Sequence, residues 1–264
     1  MTKAEGMIHH PWAKGRIRMI QPTTDELVAL TMVMTLLIVA WKKSLLDHSG
    51  LIAALIVGLL VSILGHWTWL AILVFFLIIG SISTSWRYEE KQRLHLEEEN
   101  EGMRGWRNVV ANGGVASMIA IINYSMGGLD WAYFAAASSI SVAAADTLAS
   151  EIGSLDPRTR SIINLEAVPA GTNGGMSITG SFAALSGGLL IAIIATTLSS
   201  IPGEQISMSS LFLAVAIIGW LGCQVDSILG ALFENKGYIG KHTVNFIATL
   251  SGALMALIAN WYFL

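Results

Sequence analysis

Eight predominantly apolar stretches follow one another along the chain, at about 26–41, 50–64, 67–85, 108–125, 130–149, 177–199, 208–230 and 243–263. Inside a bilayer no water reaches the backbone, so each such stretch has to satisfy its own N–H and C=O groups as a helix. The composition fits: 54% of the 264 residues are hydrophobic and 12% are charged, about half the charged fraction of a soluble domain. The expected fold is all-α, a polytopic helical membrane protein with seven or eight hydrophobic segments. The count is open because 26–41 and 50–64 fall short of the about 20 residues a spanning helix needs. A polar N-terminal segment, 1–25, precedes a single transmembrane domain, 26–264, interrupted by a charged loop at 86–107.

Loop charge sets the expected orientation. Arg87, Lys91, Arg93, Arg104 and Arg107 lie in 86–107, Arg158 and Arg160 in 150–176, and Lys236 and Lys241 in 231–242. The alternate loops, 126–130 and 200–207, and the C-terminus carry no Lys or Arg. Nine against zero places the basic loops on the cytoplasmic side. The N-terminus is also basic (Lys3, Lys14, Arg16, Arg18). Eight spans put it outside with the C-terminus, whereas seven put it inside. Cys223 is the only cysteine, which excludes an intrachain disulfide and a thiolate metal cluster. The six histidines show no paired ligand spacing. No cleavable signal peptide is visible in the polar start, and the absence of a transit peptide points to a prokaryotic cytoplasmic membrane.

Three polar motifs then fall at one depth, near the cytoplasmic ends of their segments: Ala145-Asp146-Thr147-Leu148-Ala149-Ser150-Glu151, Pro169-Ala170-Gly171-Thr172-Asn173-Gly174-Gly175, and Cys223-Gln224-Val225-Asp226-Ser227. A carboxylate at membrane depth costs several kcal/mol and is retained where it is paired, wet or functional. Asp226 has Gly222 and Gly230 one turn to either side, which leaves room for an ion or ligand. The Gly171–Gly175 loop opens a helix, so its N–H groups and the helix dipole suit an anion. It is no Walker motif, since no Lys follows it. Asn112 and Asn245 begin two further segments on the same side. Asp146, Glu151 and Asp226 are the candidate catalytic acids and ligands for Mg²⁺ or Mn²⁺; magnesium is commonly held by one or two carboxylates plus substrate phosphates. Arg104, Arg107, Arg158, Asn112, Ser227, Asn245 and the glycine loop are candidates for polyphosphate. Small-residue helix faces leave a groove for a lipid tail, and no nucleic-acid partner is expected. These parts serve phosphoryl or nucleotidyl transfer to a lipid at the interface.

The motifs Arg107-Asn108-Val109-Val110-Ala111-Asn112-Gly113-Gly114, Ala145 to Gly153, Val168 to Ser177, and Asp226 to Ala231 with Val244-Asn245-Phe246 resemble those of a membrane family. It contains transmembrane protein nineteen and the plant and cyanobacterial phytyl-phosphate kinases of the vitamin E pathway. The resemblance runs over about 26–263. It implies a prenyl phosphate kinase that moves the γ-phosphoryl of CTP or another nucleoside triphosphate onto phytyl or geranylgeranyl phosphate. It also implies Asp146, Glu151 and Asp226 as acid ligands, and Thr172 to Gly175 as the phosphate loop. Leu148 and Ala170 depart from residues often found in relatives, Trp and Pro. Two alternatives stand beside this reading: a CTP:lipid-phosphate cytidylyltransferase, and a transporter or flippase for an anionic or prenyl lipid.

Overall fold

The computed structural model describes residues 23–96, 103–203 and 206–263. The basic residues of the N-terminal segment (Lys3, Lys14, Arg16, Arg18) lie outside the described residues. Nine α-helices occur among the described residues: α1 (Thr24–Lys42), α2 (His48–Leu59), α3 (Trp67–Ser85), α4 (Tyr88–Arg93), α5 (Trp106–Ser125), α6 (Ala132–Gly153), α7 (Ile178–Leu198), α8 (Met208–Leu229) and α9 (Lys241–Phe263). Helices α2 and α8 each run on as a π-helical turn, Leu60–Gly65 and Gly230–Glu234. Two short antiparallel strands, β1 (Arg160–Ser161) and β2 (Gly175–Met176), pair Arg160 with Met176.

Seven of these helices are long and apolar enough to cross a membrane. The eighth long helix, α5, matches them with 20 residues. Its first half carries Arg107, Asn108 and Asn112, which lower its hydropathy. The short stretches at 26–41 and 50–64 gain length from their flanks. Thr23 and Glu26 form a capping box that starts α1 two residues early. Asp47 caps α2 by accepting from the Gly50 N–H at 2.7 Å.

The connections fix which ends meet. Asp47 N–H donates to the Arg104 carbonyl at 3.3 Å and Arg104 N–H to that of Leu45 at 3.0 Å, so the α1–α2 turn sits beside the charged loop. At the opposite end, Trp67 Nε1 donates to Asp25 at 3.2 Å. Helix α1 therefore begins at the end away from the basic loops. The long helices alternate from there, and α9 finishes at the end where α1 starts. This is the eight-segment arrangement.

Helix α6 is the axis. Its most apolar 18-residue window is 83% buried, against 17–44% for the other six apolar spans. The sequence AYFAAASSISVAAAD explains this: Ala and Ser side chains let neighbouring backbones approach closely. Helices α7, α8 and α9 pack directly on it, with α3 and α5 behind. One approach matters for the site. Gly222 of α8 sits so close to Val142 of α6 that a Cβ there would collide with the valine methyls. Helices α6 and α8 run in the same direction. Contact at 142 and 222 therefore brings 146 and 226 together one turn later.

Candidate functional site at the basic end of the bundle

Asp146 and Asp226 meet in a cavity of about 610 Å³ at the end of the bundle that carries the basic loops. That size is within the usual range for a small-molecule site. The C-terminal ends of α6 and α8, the first turns of α5, α7 and α9, and the loop between α6 and α7 form its walls. Asp226 lies close enough to Asp146 for the two carboxyl groups to interact directly. Asp226 Oδ2 is buried with no hydrogen-bond partner among the described residues. Buried Cys223 forms the floor beside both.

The glycine-rich loop lines the same cavity and packs on the end of α8. Gly171 and Gly174 have φ of +79° and +75°, a region that side chains disfavour. Gly174 is also pressed against Ala231 and the Ser227 carbonyl, with no space for a Cβ. The π-helical turn of α8 begins at Gly230, where the loop crosses it: a Cβ on Gly230 would lie 3.4 Å from the Gly174 nitrogen. Asn235 Nδ2 fastens the loop from the other side by donating to the Asn173 carbonyl at 2.9 Å. Part of the loop's donor set is spent on its own fold. Thr172 N–H and Oγ donate to the Pro169 carbonyl, and Gly175 N–H donates to that of Thr172. Ser177 caps the start of α7, accepting from Gly180 N–H at 3.0 Å. The loop is thus a less complete anion nest than its sequence implies. Gly174→Ala should lower stability by about 2 kcal/mol or more, from the left-handed backbone and the collision together. Gly240→Ala should be near neutral, since nothing lies within 4 Å of its added methyl. Thermal melting of the purified variants checks the contrast.

Of the residues singled out in the sequence, Arg107, Asp146, Glu151, Gly171, Thr172, Asn173, Gly174, Gly175, Asp226, Ser227 and Asn245 line this cavity. Three do not. Arg104 lies over the Phe76 ring, 5.7 Å from its centroid, between α3 and α5. Asn112 faces α2 and α3, donating to Asn108 Oδ1 at 2.9 Å. Arg158 is 80% exposed and paired with Asp156 at 3.1 Å. The Arg158 hydrogen bond, then that from Thr179, holds the Asp156 carboxyl well below its ordinary range. Because its pKa is depressed on folding, this anchor is intact at neutral pH and is lost only as pH falls through that lowered value.

Glu151 also differs from its expected role as a third metal ligand. Its Oε2 accepts from Lys91 Nζ at 2.6 Å and its Oε1 from Thr84 Oγ at 2.6 Å. Lys91 Nζ also donates to the Ser83 and Thr84 carbonyls, at 3.1 and 2.7 Å. Both charged groups are buried. The network ties α4 and the end of α3 to the end of α6. Among the described residues no group of three His, Cys, Asp or Glu side chains converges as a metal cluster. The acids left facing the cavity are the Asp146–Asp226 pair and Glu234, which lies near Asn173 and Lys241. His95, Gln224, Glu234, Lys241 and His242 line the cavity and were not among the candidates. For Lys241 and His242 a signal existed, their position one turn before Asn245 on α9.

A family profile described as "Integral membrane protein DUF92" matches residues 31–253. The chain is 31% identical over 232 residues to an uncharacterized membrane protein of Methanocaldococcus jannaschii, across 88% of this chain and 92% of that protein. It is 29% identical over 242 residues to an uncharacterized membrane protein of Synechocystis, across 89% and 90%. It is 26% identical over 257 residues to protein VTE6, chloroplastic, of Arabidopsis thaliana, across 94% and 75%. No solved structure matches the chain.

Proposed function

This chain belongs to the DUF92 family of integral membrane proteins, and we propose that it is a kinase that converts a prenyl monophosphate to the diphosphate with CTP or another nucleoside triphosphate. The reaction runs at the cytoplasmic face of a prokaryotic membrane. The observation that carries this reading is the close pairing of Asp146 with Asp226 in a cavity that the glycine-rich loop also lines. The motif resemblance to phytyl-phosphate kinases supplies the acceptor.

The residues fit a divalent cation. Two carboxyls brought together out of water repel one another unless a proton or a cation lies between them, and Asp226 Oδ2 has its lone pairs unused. A pair of carboxylates, rather than a full cage, is the usual protein share of a magnesium site completed by substrate phosphates. Asp146 and Asp226 would hold Mg²⁺, which when bound neutralises charge on the β- and γ-phosphates. Arg107 and Lys241 add positive charge at the cavity wall. The Asn173–Gly174 segment and Asn245 orient the polyphosphate. An oxygen of the acceptor phosphate attacks the γ-phosphorus, the bond from that phosphorus to the β–γ bridging oxygen breaks, and the nucleoside diphosphate leaves. The acceptor is already an anion at neutral pH, so no strong base is required. The site's work is positioning and screening of repulsion between two anions. Glu151 and Lys91 hold the end of α6 that carries Asp146.

Purified protein incubated with Mg²⁺, each nucleoside triphosphate and phytyl or geranylgeranyl phosphate should yield prenyl diphosphate and nucleoside diphosphate by mass spectrometry. Pyrophosphate with a CDP-lipid would instead identify a cytidylyltransferase. Liposome flux of the lipid without nucleotide or turnover would identify a transporter. Either result overturns the kinase reading.

A further inference from the structure

The walls of the Asp146–Asp226 cavity differ from one side to the next. Between α6 and α7 the backbones touch: a Cβ on Gly153 would fall 2.7 Å from the Gly180 Cα. Between α6 and α8, Gly222 lies against the Val142 methyls. Toward α3 and α4 stand the Lys91–Glu151 pair and Leu96, which leaves no space for a Cβ on Gly171. The wall from α5 and α9 carries Arg107, Lys241, His242 and Asn245, where hydrocarbon would strip water from charged and polar groups. The side between α7 and α8 is different. Ser181 on α7 and Gln224 and Ser227 on α8 line the cavity there, and all three are half-buried. Gln224 also shares the outward face of α8 with exposed Leu221 and Ile228, three residues before it and four after. A residue that lines the cavity and lies on that face marks where the cavity reaches the outside of the bundle. The opening is bounded toward the midplane by Ala184 and Cys223, packed together with Ala145. Toward the loops it is bounded by Gly174, pressed on Ala231 and the Ser227 carbonyl. Gln224 Nε2 donates to the Trp220 carbonyl of its own helix at 3.3 Å, so its side chain can swing without breaking a bond between helices.

We propose that this window between α7 and α8 is the lateral exit for the hydrocarbon chain of the acceptor lipid, whose phosphate stays in the cavity with Asp146 and Asp226. The proposal rests on the kinase reading for the identity of the lipid, and on the cavity walls alone for the route. Three features select it. The cavity of about 610 Å³ suits one small molecule, so the polyphosphate and the acceptor phosphate leave no room for a long chain as well. Ser181 lies one turn into α7, and Gln224 lies two residues before Asp226. The window therefore opens at the depth of the acids, and a chain passing through it remains among lipid tails and gives up none of its burial. Outside the rim, Phe182, Leu185, Leu221 and Ile228 present exposed apolar side chains that suit a hydrocarbon. The two substrates then approach from different sides. The lipid enters from the bilayer between α7 and α8, and the nucleotide enters from the water beside Arg107 and Lys241.

The test is photo-crosslinking of the purified protein in nanodiscs with a C20 isoprenoid monophosphate that carries a diazirine close to its phosphate, without nucleotide or Mg²⁺. Adducts are expected on the peptides that contain Ser181 and Gln224, and excess unlabelled isoprenoid monophosphate should suppress them. Labelling should fall at least about tenfold in Ser181→Trp and in Gln224→Trp, each of which fills the rim with a bulky ring. Met118→Trp, on the exposed face of α5, should label as wild type. Melting of each variant shows that the fold is kept, and Gln224→Trp carries the test if Ser181→Trp melts lower. Adducts spread over the outer surface without competition, or unchanged in both rim variants, would overturn the window. Wild-type kcat/KM for the C20 acceptor in both rim variants would also overturn it while leaving the kinase reading intact. Competed labelling at the window without turnover of any nucleotide would do the reverse.

Discussion

Asp226→Asn should reduce phosphoryl transfer at least about 100-fold while the protein melts no lower than wild type. The loss follows from removing half of the carboxyl pair proposed to hold a cation on the polyphosphate, where electrostatic stabilisation supplies most of the rate. The unchanged or raised stability follows from the same geometry. Asp226 Oδ2 is buried and unpartnered, and its carboxyl stands against that of Asp146. An amide in its place removes a like charge and brings a donor to its neighbour. Opposite signs for activity and stability are the mark of a group kept for function at a cost to the fold. A purely structural aspartate would lose both. Parallel turnover and melting measurements on Asp226→Asn and Asp146→Asn decide between these outcomes.

Lys91→Met should give the largest loss of stability of any single change considered, about 3–5 kcal/mol, because it leaves Glu151 buried and uncompensated. Lys91 is 1% exposed, and it donates to Glu151 and to two carbonyls at the end of α3. The double variant Lys91→Met/Glu151→Leu should recover most of the loss, since an apolar pair of similar volume is often as stable as a buried ion pair. Thermal unfolding of the two singles and the double completes the cycle. Failure of the double to recover would mean that the network orients α4 and the end of α6 in a way apolar packing cannot replace.

The contrast between these two acids marks what could be read from the sequence. The depth of Asp146, Asp226 and the glycine loop was legible because depth follows from position along an apolar segment. The helical bundle was legible for the same reason. The facing of side chains was not. Arg107 and Asn108 are adjacent in sequence, yet 100° of helical rotation sends one to the acid cavity and the other, with Asn112, to a separate space against α2 and α3. Depth alone put Asn112 in the wrong place. Arg104 precedes α5, and the bridge between its backbone and Leu46 turns it toward α3. Arg158 was captured by an acid two residues away, a local pairing that a count of basic residues conceals. Glu151 was misplaced because its partner is 60 residues distant, and Lys91 looked like one more charge in a basic loop. The length of α1 and α2 was underestimated because Thr23 and Asp47, both polar, begin helices rather than end them.

The central claim is that Asp146 and Asp226 together hold one divalent cation in contact with nucleotide. A crystal grown with Mn²⁺ and a non-hydrolysable nucleoside triphosphate, measured at the manganese absorption edge, tests it directly. The account predicts an anomalous peak bonded to oxygens of both aspartates and to the phosphates beside the Gly171–Gly175 loop. A peak bonded to neither aspartate, with nucleotide ordered elsewhere, would contradict it.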